Sequence, residues 1–412
     1  MPKQILPVCI RRITKEENRL KEKCFFALLI IFFILILGGC TNLQAKNDPM
    51  SILSTSNTTI EDNQESVSSQ PTEVDTSGDV YEELALNDHH HIQANVQGEE
   101  YTNLESFALE PLPVTIEEVV KIFAPDDSGE GTVKSTEEGT FLISNKGNHF
   151  YISQHRVLFE KEDEAQRQKN DEIINLLNLY AQDNPKNSAQ DLDFINRNDA
   201  IQLVEDLLKK VGVNLKPILR AYVSLPAQTI MDYQQDLLKR DQETEDKYYD
   251  PFGKAFVLDD LGIEDDACFL SFDFSYQGLP IYNGSPTVSY LDGVIPPYHP
   301  SLYVLITRQG LQIFDGQALF FVGQSEHAGN IITVEDAIDT YQQKYDLVIH
   351  PEEYEMRVSS IYLEYVPIEK ENGTVLIPYW CFPIEMEFPS GWYTVSSERF
   401  NAFTGEDITY GG

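Results

Sequence analysis

Residues that could hold a metal, attack a substrate or move a proton are sparse in this 412-residue chain. The acidic run from Asp126 to Glu137 places oxygen-bearing side chains at Asp126, Ser128, Glu130 and Glu137. Counted from Asp126 these are positions 1, 3, 5 and 12, with Gly131 at 6 and Val133 at 8, the spacing of a loop that wraps a calcium ion. Lys134 and the strand-like sequence that follows favour a solvated acidic turn instead. Asp88-His89-His90-His91 offers imidazoles suited to zinc, copper or nickel, but lies in a polar tract with nothing to fix its geometry, and it reads as solvated. Cys268 and Cys381 each sit in an apolar run, either as buried thiols or paired as one disulfide. His149, His155, His299, His327 and His350 are scattered, and the body carries no G-x-S-x-G elbow, H-E-x-x-H helix, phosphate loop or C-x-x-C pair. The expectation is a chain that is not an enzyme, with no catalytic residue, no cofactor and no metal beyond the weak calcium-loop candidate.

The elements that must position these groups follow from periodicity. Thr115 caps a short helix through Phe123, with Glu117 and Glu118 in its first turn, where the helix dipole favours them. Strand signals follow at 140–143, 150–152 and 157–159, then a helix with Ile173, Ile174, Leu177 and Tyr180 on one face. From there the chain reads as a repeat. One helix opens at Asn198-Asp199-Ala200-Ile201 and another at Glu335-Asp336-Ala337-Ile338. The first is followed by strand signals at 218–225, 268–276 and 302–314, and the second by 358–366, 375–387 and 394–403. Gly310 and Gly405 fall in corresponding turns, and the first unit carries an insertion, 227–266, with a helix and the acidic loop Asp241 to Asp250. Thr333 caps the second helix in a weak capping box with Asp336, and Tyr379, Trp380 and Trp392 read as sheet-face packing.

At the other end, Phe25 to Leu37 is an unbroken apolar run of about 13 residues, too short for the ~20 that span a bilayer and right for a signal peptide. Lys21 and Lys23 precede it, and Leu37-Gly38-Gly39-Cys40 resembles a lipobox, which implies cleavage before Cys40 and diacylglyceryl on its thiol. Lys15-Glu16-Glu17 can be encoded by a ribosome-binding sequence and Leu20 by a TTG start, so residues 1–19, Cys9 included, read as an annotation extension. From Thr41 to about Glu105 the composition is Ser, Thr, Asn, Gln, Asp and Glu, which points to a disordered tether with a reach on the order of 45 Å. The formal net charge of −37 disfavours nucleic acid and anionic membrane surfaces, since either needs a basic face. With 21 Tyr and 22 Phe the body has material for a core.

The second unit resembles a PepSY-type domain in Thr333-Val334-Glu335-Asp336-Ala337-Ile338 and in Phe400-Asn401-Ala402-Phe403-Thr404-Gly405-Glu406. Its middle, Leu363-Glu364-Tyr365-Val366-Pro367-Ile368 and Leu376-Ile377-Pro378-Tyr379-Trp380-Cys381-Phe382, is similar to the membrane-attached YycI and YycH regulators of Gram-positive bacteria. The resemblance covers about the last 80 residues well and the first unit loosely. It implies protein binding in the envelope, including restraint of a sensor kinase or a peptidase, and transfers no active site. The lipid anchor, in place of those regulators' transmembrane helix, removes direct coupling through the bilayer.

The resulting expectation is an α+β body: two repeated units of one helix packed on an antiparallel sheet, preceded by a smaller α+β segment. The boundaries are 1–39 signal peptide, 40–108 disordered acidic linker, 109–190 N-terminal α+β segment, 191–325 first unit with insertion and 326–412 second unit. Function is expected to be that of a lipoprotein on the extracytoplasmic face, attached to the membrane through lipid on Cys40, with an envelope protein as partner and no nucleic acid. A solute or peptide receptor is the second reading and an envelope hydrolase the third. Replacing Cys40 by Ser should abolish incorporation of labelled fatty acid and leave unprocessed precursor on a gel; labelled protein from the variant would remove the anchor from this account.

Overall fold

The computed structural model describes residues 84–408, apart from 88–89, 162–163, 244–256, 283–299, 347–354, 371–372, 390 and 392. The signal segment, Cys9, Cys40, the linker as far as residue 83, His89, most of the acidic loop Asp241 to Asp250, His299, His350 and Trp392 lie outside the described residues. The described part is α+β, with helices packed on two largely antiparallel sheets.

The larger sheet is entirely antiparallel. Its strands are β4 (Gly131–Ser135), β5 (Gly139–Ser144), β6 (His149–Ser153), β7 (Arg156–Glu160), β8 (Lys216–Leu225), β9 (Ala267–Tyr276), β10 (Leu279–Pro280), β11 (Ser301–Thr307) and β12 (Gly310–Gln317). The spatial order is β4-β5-β6-β7-β12-β11-β9, with β8 and β10 both on β9. Register places Val133, Leu142, Phe150, Phe159, Phe314, Val304, Leu270 and Tyr222 in one row across eight strands. Helix α1 (Ile116–Phe123) seats Phe123 on this row, with its ring stacked 5.5 Å from that of Phe159 and tilted against that of Phe314 at 4.8 Å. Each fully buried phenylalanine of the row contributes about 2–3 kcal/mol by leaving water. Thr115 and Glu118 form a reciprocal capping box that starts α1 and turns Val119, Val120 and Phe123 inward. The opposite face carries Val223, Phe269, Leu305 and Ile313, covered by α2 (Glu164–Asp183) and by the insertion helix α4 (Ala227–Glu243).

The second sheet comprises β1 (Leu84–Asn87), β2 (His90–Gln97), β3 (Asn103–Glu110), β13 (Phe321–Asn330), β14 (Glu355–Lys370), β15 (Gly373–Glu387) and β16 (Tyr393–Asn401). Its order is β1-β2-β14-β15-β3-β13, with β16 also on β15, and only β2 and β14 run parallel. Helix α5 (Val334–Asp346) covers one face, its Tyr341 ring stacked 5.0 Å from Phe382 and its Ala337 fully buried. The two sheets share one core: Phe107 on β3 lies 5.0 Å from Tyr276 on β9 and 6.1 Å from Tyr365 on β14.

The order read as a repeat is present in the structure. Helix α3 (Arg197–Lys210) leads into the meander β8-β9-β11, turns at Gly310 and continues as β12; α5 leads into β14-β15-β16, turns at Gly405 and closes with a bridge from Phe400 to Asp407. Both glycines have positive φ, +94° and +75°, a conformation that a side chain resists. Ala200 and Ala337 are both fully buried, Ile338 is buried, and Ile201 is only partly so.

Three boundaries are corrected. The linker predicted for 40–108 ends early, because β1, β2 and most of β3 fall inside it. Its polar composition conceals alternation in β2, where His90, Ile92, Ala94 and Val96 face inward between more exposed neighbours. The segment predicted as 109–190 is not a separate layer: β7 pairs with β12, so β4 to β7 extend the first unit's sheet. The boundary at 325/326 falls within β13, which pairs with β3 in the second sheet.

Helix–sheet closeness at Ala337 gives a stability test. Ala337→Arg places an uncompensated charge in a packed contact and should cost about 3 kcal/mol or more, lowering Tm by at least about 6 °C. Leu203→Gln, at a partly exposed position of α3, should stay within about 0.5 kcal/mol of the parent in the same denaturation series.

Candidate functional site

The structure does not gather the calcium-loop candidates. Residues 131–135 form β4, paired along its length with β5, so the chain between Glu130 and Glu137 is extended, at about 3.3 Å per residue, and cannot wrap an ion. The buried carboxylate in this loop is that of Asp127, one position from a predicted ligand. It accepts hydrogen bonds from Ser144 Oγ (2.6 Å), Asn148 Nδ2 (2.7 Å) and the Gly129 amide (3.1 Å). Burial opposes its charge, but these donors, with Lys146 nearby, hold its pKa below the ordinary 3.8. Asp127 thus ties the end of α1 to the β5–β6 turn.

Those two segments line an open cleft of about 540 Å³, within the usual range for ligand sites. Phe123, Phe159 and Leu311 form its apolar floor. Its lining also carries Lys146 from the β5–β6 turn and Lys161 just beyond β7, together with the acidic residues Asp126 and Asp127. Lys146 Nζ donates to the Asp126 carbonyl (2.5 Å) and Lys161 Nζ to the Gln309 carbonyl (3.1 Å). Neither ammonium forms an ion pair among the described residues. An ammonium has three N–H donors, so each lysine retains capacity for an anionic ligand.

Beside the cleft the larger sheet ends at β4, whose residues are exposed on both faces, Val133 at 57%. The Asn145 amide bonds to the Glu130 carbonyl and the Thr136 amide to the Gly139 carbonyl. In antiparallel alternation these bonds assign Thr132 and Lys134 to the β5 ladder and aim the N–H and C=O groups of Gly131, Val133 and Ser135 outward. Among the described strands, β4 pairs only with β5.

The other chemistry-bearing residues serve packing. His90, in the run read as solvated, is 1% exposed, and its Nε2 lies 2.6 Å from the Tyr341 hydroxyl. That reading is corrected: His90 begins an inward-alternating strand, and its partner is 251 positions away. Nearby, Lys344 bridges Glu398 and Asp407 at 2.5 Å each, and Tyr345 donates to Glu398 (2.9 Å), joining α5 to β16 and the final turn. Cys268 and Cys381 are free, buried and on different sheets. Burial pushes the Cys268 thiol up to about 12 and raises Cys381 as well, the reverse of an activated nucleophile. Trp380 packs in the core and donates to the Ile332 carbonyl, and Tyr379 is buried. Arg399 and Glu364 form a buried pair at 2.6 Å, with the guanidinium 4.0 Å above the Tyr282 ring. His155 packs on Phe320 and His327 on Phe403.

No family model and no curated protein matches the chain. Among solved structures, it is similar to that of an uncharacterized protein from Eubacterium rectale ATCC 33656, with 13% identity and a TM-score of 0.49, over 79% of this chain and 92% of that one.

The Asp127 node makes a pH prediction with a definite sign. Its folded pKa is depressed, so the stability it adds is present above the unfolded value and is lost as pH falls through the folded one. Acidification below about 3.8 should therefore release Ser144 and Asn148, which the Gly129 amide resonance would report as a titration midpoint below 3.8. A midpoint at or above 3.8 contradicts the assignment.

Proposed function

We propose that this chain is a non-enzymatic, lipid-anchored protein of the extracytoplasmic face that binds another envelope polypeptide. The observation that supports this reading is the outer edge of β4. Three consecutive outward-facing backbone pairs, at Gly131, Val133 and Ser135, present donors and acceptors in the pattern that an added strand satisfies. Edge strands are usually shielded by bulges, proline or charge. Here β13 has register shifts along β3, and β8 has a shift beside Arg220 and carries Pro217, whereas β4 pairs regularly and carries one lysine, Lys134. The PepSY-type and YycI/YycH-like resemblance supports the same class of role, restraint of a sensor kinase or a peptidase. The alternative of a solute or peptide receptor draws support from the cleft, which combines apolar residues with two lysines and two aspartates. An envelope hydrolase has the least support, since both thiols are buried with raised pKa values.

The geometry of β4 supplies the test. Val133→Pro removes an outward N–H and leaves the β5 ladder intact, so the protein should fold with near-parental Tm and lose its partner in crosslinking from native envelopes. Thr132→Pro removes a ladder bond and should lower Tm. A well-folded Val133→Pro protein that retains every parental crosslink contradicts the edge-strand reading.

A further inference from the structure

We infer that the strand added to the outer edge of β4 is β4 of a second copy of this chain, paired antiparallel about a twofold axis at Val133. The inference rests on the strand-addition reading above and names the polypeptide. The first support is backbone register. Gly131, Val133 and Ser135 carry the outward N–H and C=O groups, and they lie symmetrically about Val133. Setting Val133 opposite Val133 of the other copy sets Gly131 opposite Ser135, so all three outward pairs of each strand are satisfied at once. Moving the axis by one residue either way leaves one outward position of each strand beyond the ladder.

The side chains complement one another on both faces. Val133 is 57% exposed and ends the apolar row of the larger sheet; in this register it meets its own counterpart, so each covers the other. On the opposite face, Lys134 stands across from Thr132 of the other copy. The right-handed twist of an antiparallel pair draws residue i toward residue j−2 at such non-hydrogen-bonded positions. That diagonal brings Lys134 to Glu130 of the other copy and carries the two Lys134 side chains apart. Glu130 and Lys134 are both exposed, and neither forms an ion pair among the described residues. The run Glu130-Gly131-Thr132-Val133-Lys134-Ser135-Thr136 thus complements itself in hydrogen bonding, apolar contact and charge. A formal net charge of −37 opposes the approach of two copies, but β4 itself holds no carboxylate, and the repulsion is screened beyond about 8 Å at physiological ionic strength. The pairing is therefore weak between dilute copies and gains from the high local concentration that lipid attachment to one surface imposes.

Oxidative crosslinking of the full-length chain in its native membrane fraction tests this. In the inferred register the two Val133 Cα atoms lie about 5.5 Å apart, within disulfide reach, and the two Ser135 Cα atoms about 13 Å apart, beyond it. Copper phenanthroline should therefore yield at least about fivefold more reducible dimer from the Val133→Cys protein than from the Ser135→Cys protein. Cys268 and Cys381 are buried and do not contribute. In the Val133→Cys background, Lys134→Glu and Glu130→Lys should each lower the dimer about fivefold, because each sets like charges on both diagonals. Co-expressing these two variants with different tags should restore a mixed dimer, since every diagonal again joins opposite charges. Equal dimer from the Val133→Cys and Ser135→Cys proteins, or none from either, overturns the inference. So does an undiminished yield from both charge variants, or a mixture no better than either alone. Loss of envelope crosslinks in Val133→Pro without a Val133→Cys dimer assigns the edge to a different polypeptide and overturns the second-copy reading alone. Retained crosslinks in Val133→Pro overturn the strand-addition reading on which it rests.

Discussion

The structure depends on one row of side chains, Leu142, Phe150, Phe159, Phe314, Val304 and Leu270, laid across the larger sheet in strict register. Because side chains alternate at every residue of a strand, a slip of one position on any of these ladders would turn the row out of the core. Seating Phe123 on Phe159 and Phe314 then fixes the end of α1 over the strand ends, and that placement creates the cleft. The same row runs out at Val133, beyond the cover of α1 and half exposed. Edge and cleft are thus two results of one packing constraint, a sheet wider than the helix that covers it.

A second constraint is the junction of the sheets. Phe107, Tyr276 and Tyr365 meet in the shared core, and the Tyr282 amide donates to the Tyr365 carbonyl, so the chain just after β10, between β9 and β11 of the first meander, is stitched to the second. The strands that precede α1 complete the second sheet: β2 lies parallel to β14, and β3 lies between β15 and β13. The body therefore closes on a segment that composition assigns to the linker. The buried His90–Tyr341 contact and the Lys344 bridge hold α5 over this sheet.

What could be read from the sequence was what local pattern determines. The strands of both meanders are long apolar runs, and β9, β15 and their neighbours were placed within a few residues. The helix starts were legible because Thr115 and Thr333 cap by short-range contacts, to Glu118 and Asp336. Strand β4 was not legible, since Gly131–Ser135 has one apolar residue and no buried face, and its acidic approach imitates a calcium loop. Strand β2 was hidden by composition, and the role of His90 by the distance in sequence to Tyr341. The cleft draws on segments between Phe123 and Leu311 whose proximity is set only by strand order, which no spacing of Lys146 and Lys161 reveals. The expectation that the chain is not an enzyme rests on missing motifs, and of the residues weighed for chemistry the structure shows Cys268 and Cys381 buried.

The central claim is that the outer edge of β4 is a polypeptide-binding surface. Residue-resolved amide hydrogen exchange at Gly131, Val133 and Ser135, compared between the purified chain and the chain in its native membrane fraction, tests it most directly. The account predicts fast exchange at these three amides in the purified chain and strong protection in the membrane fraction, with Thr132 and Lys134 protected in both. Fast exchange at Val133 in both preparations would contradict the claim.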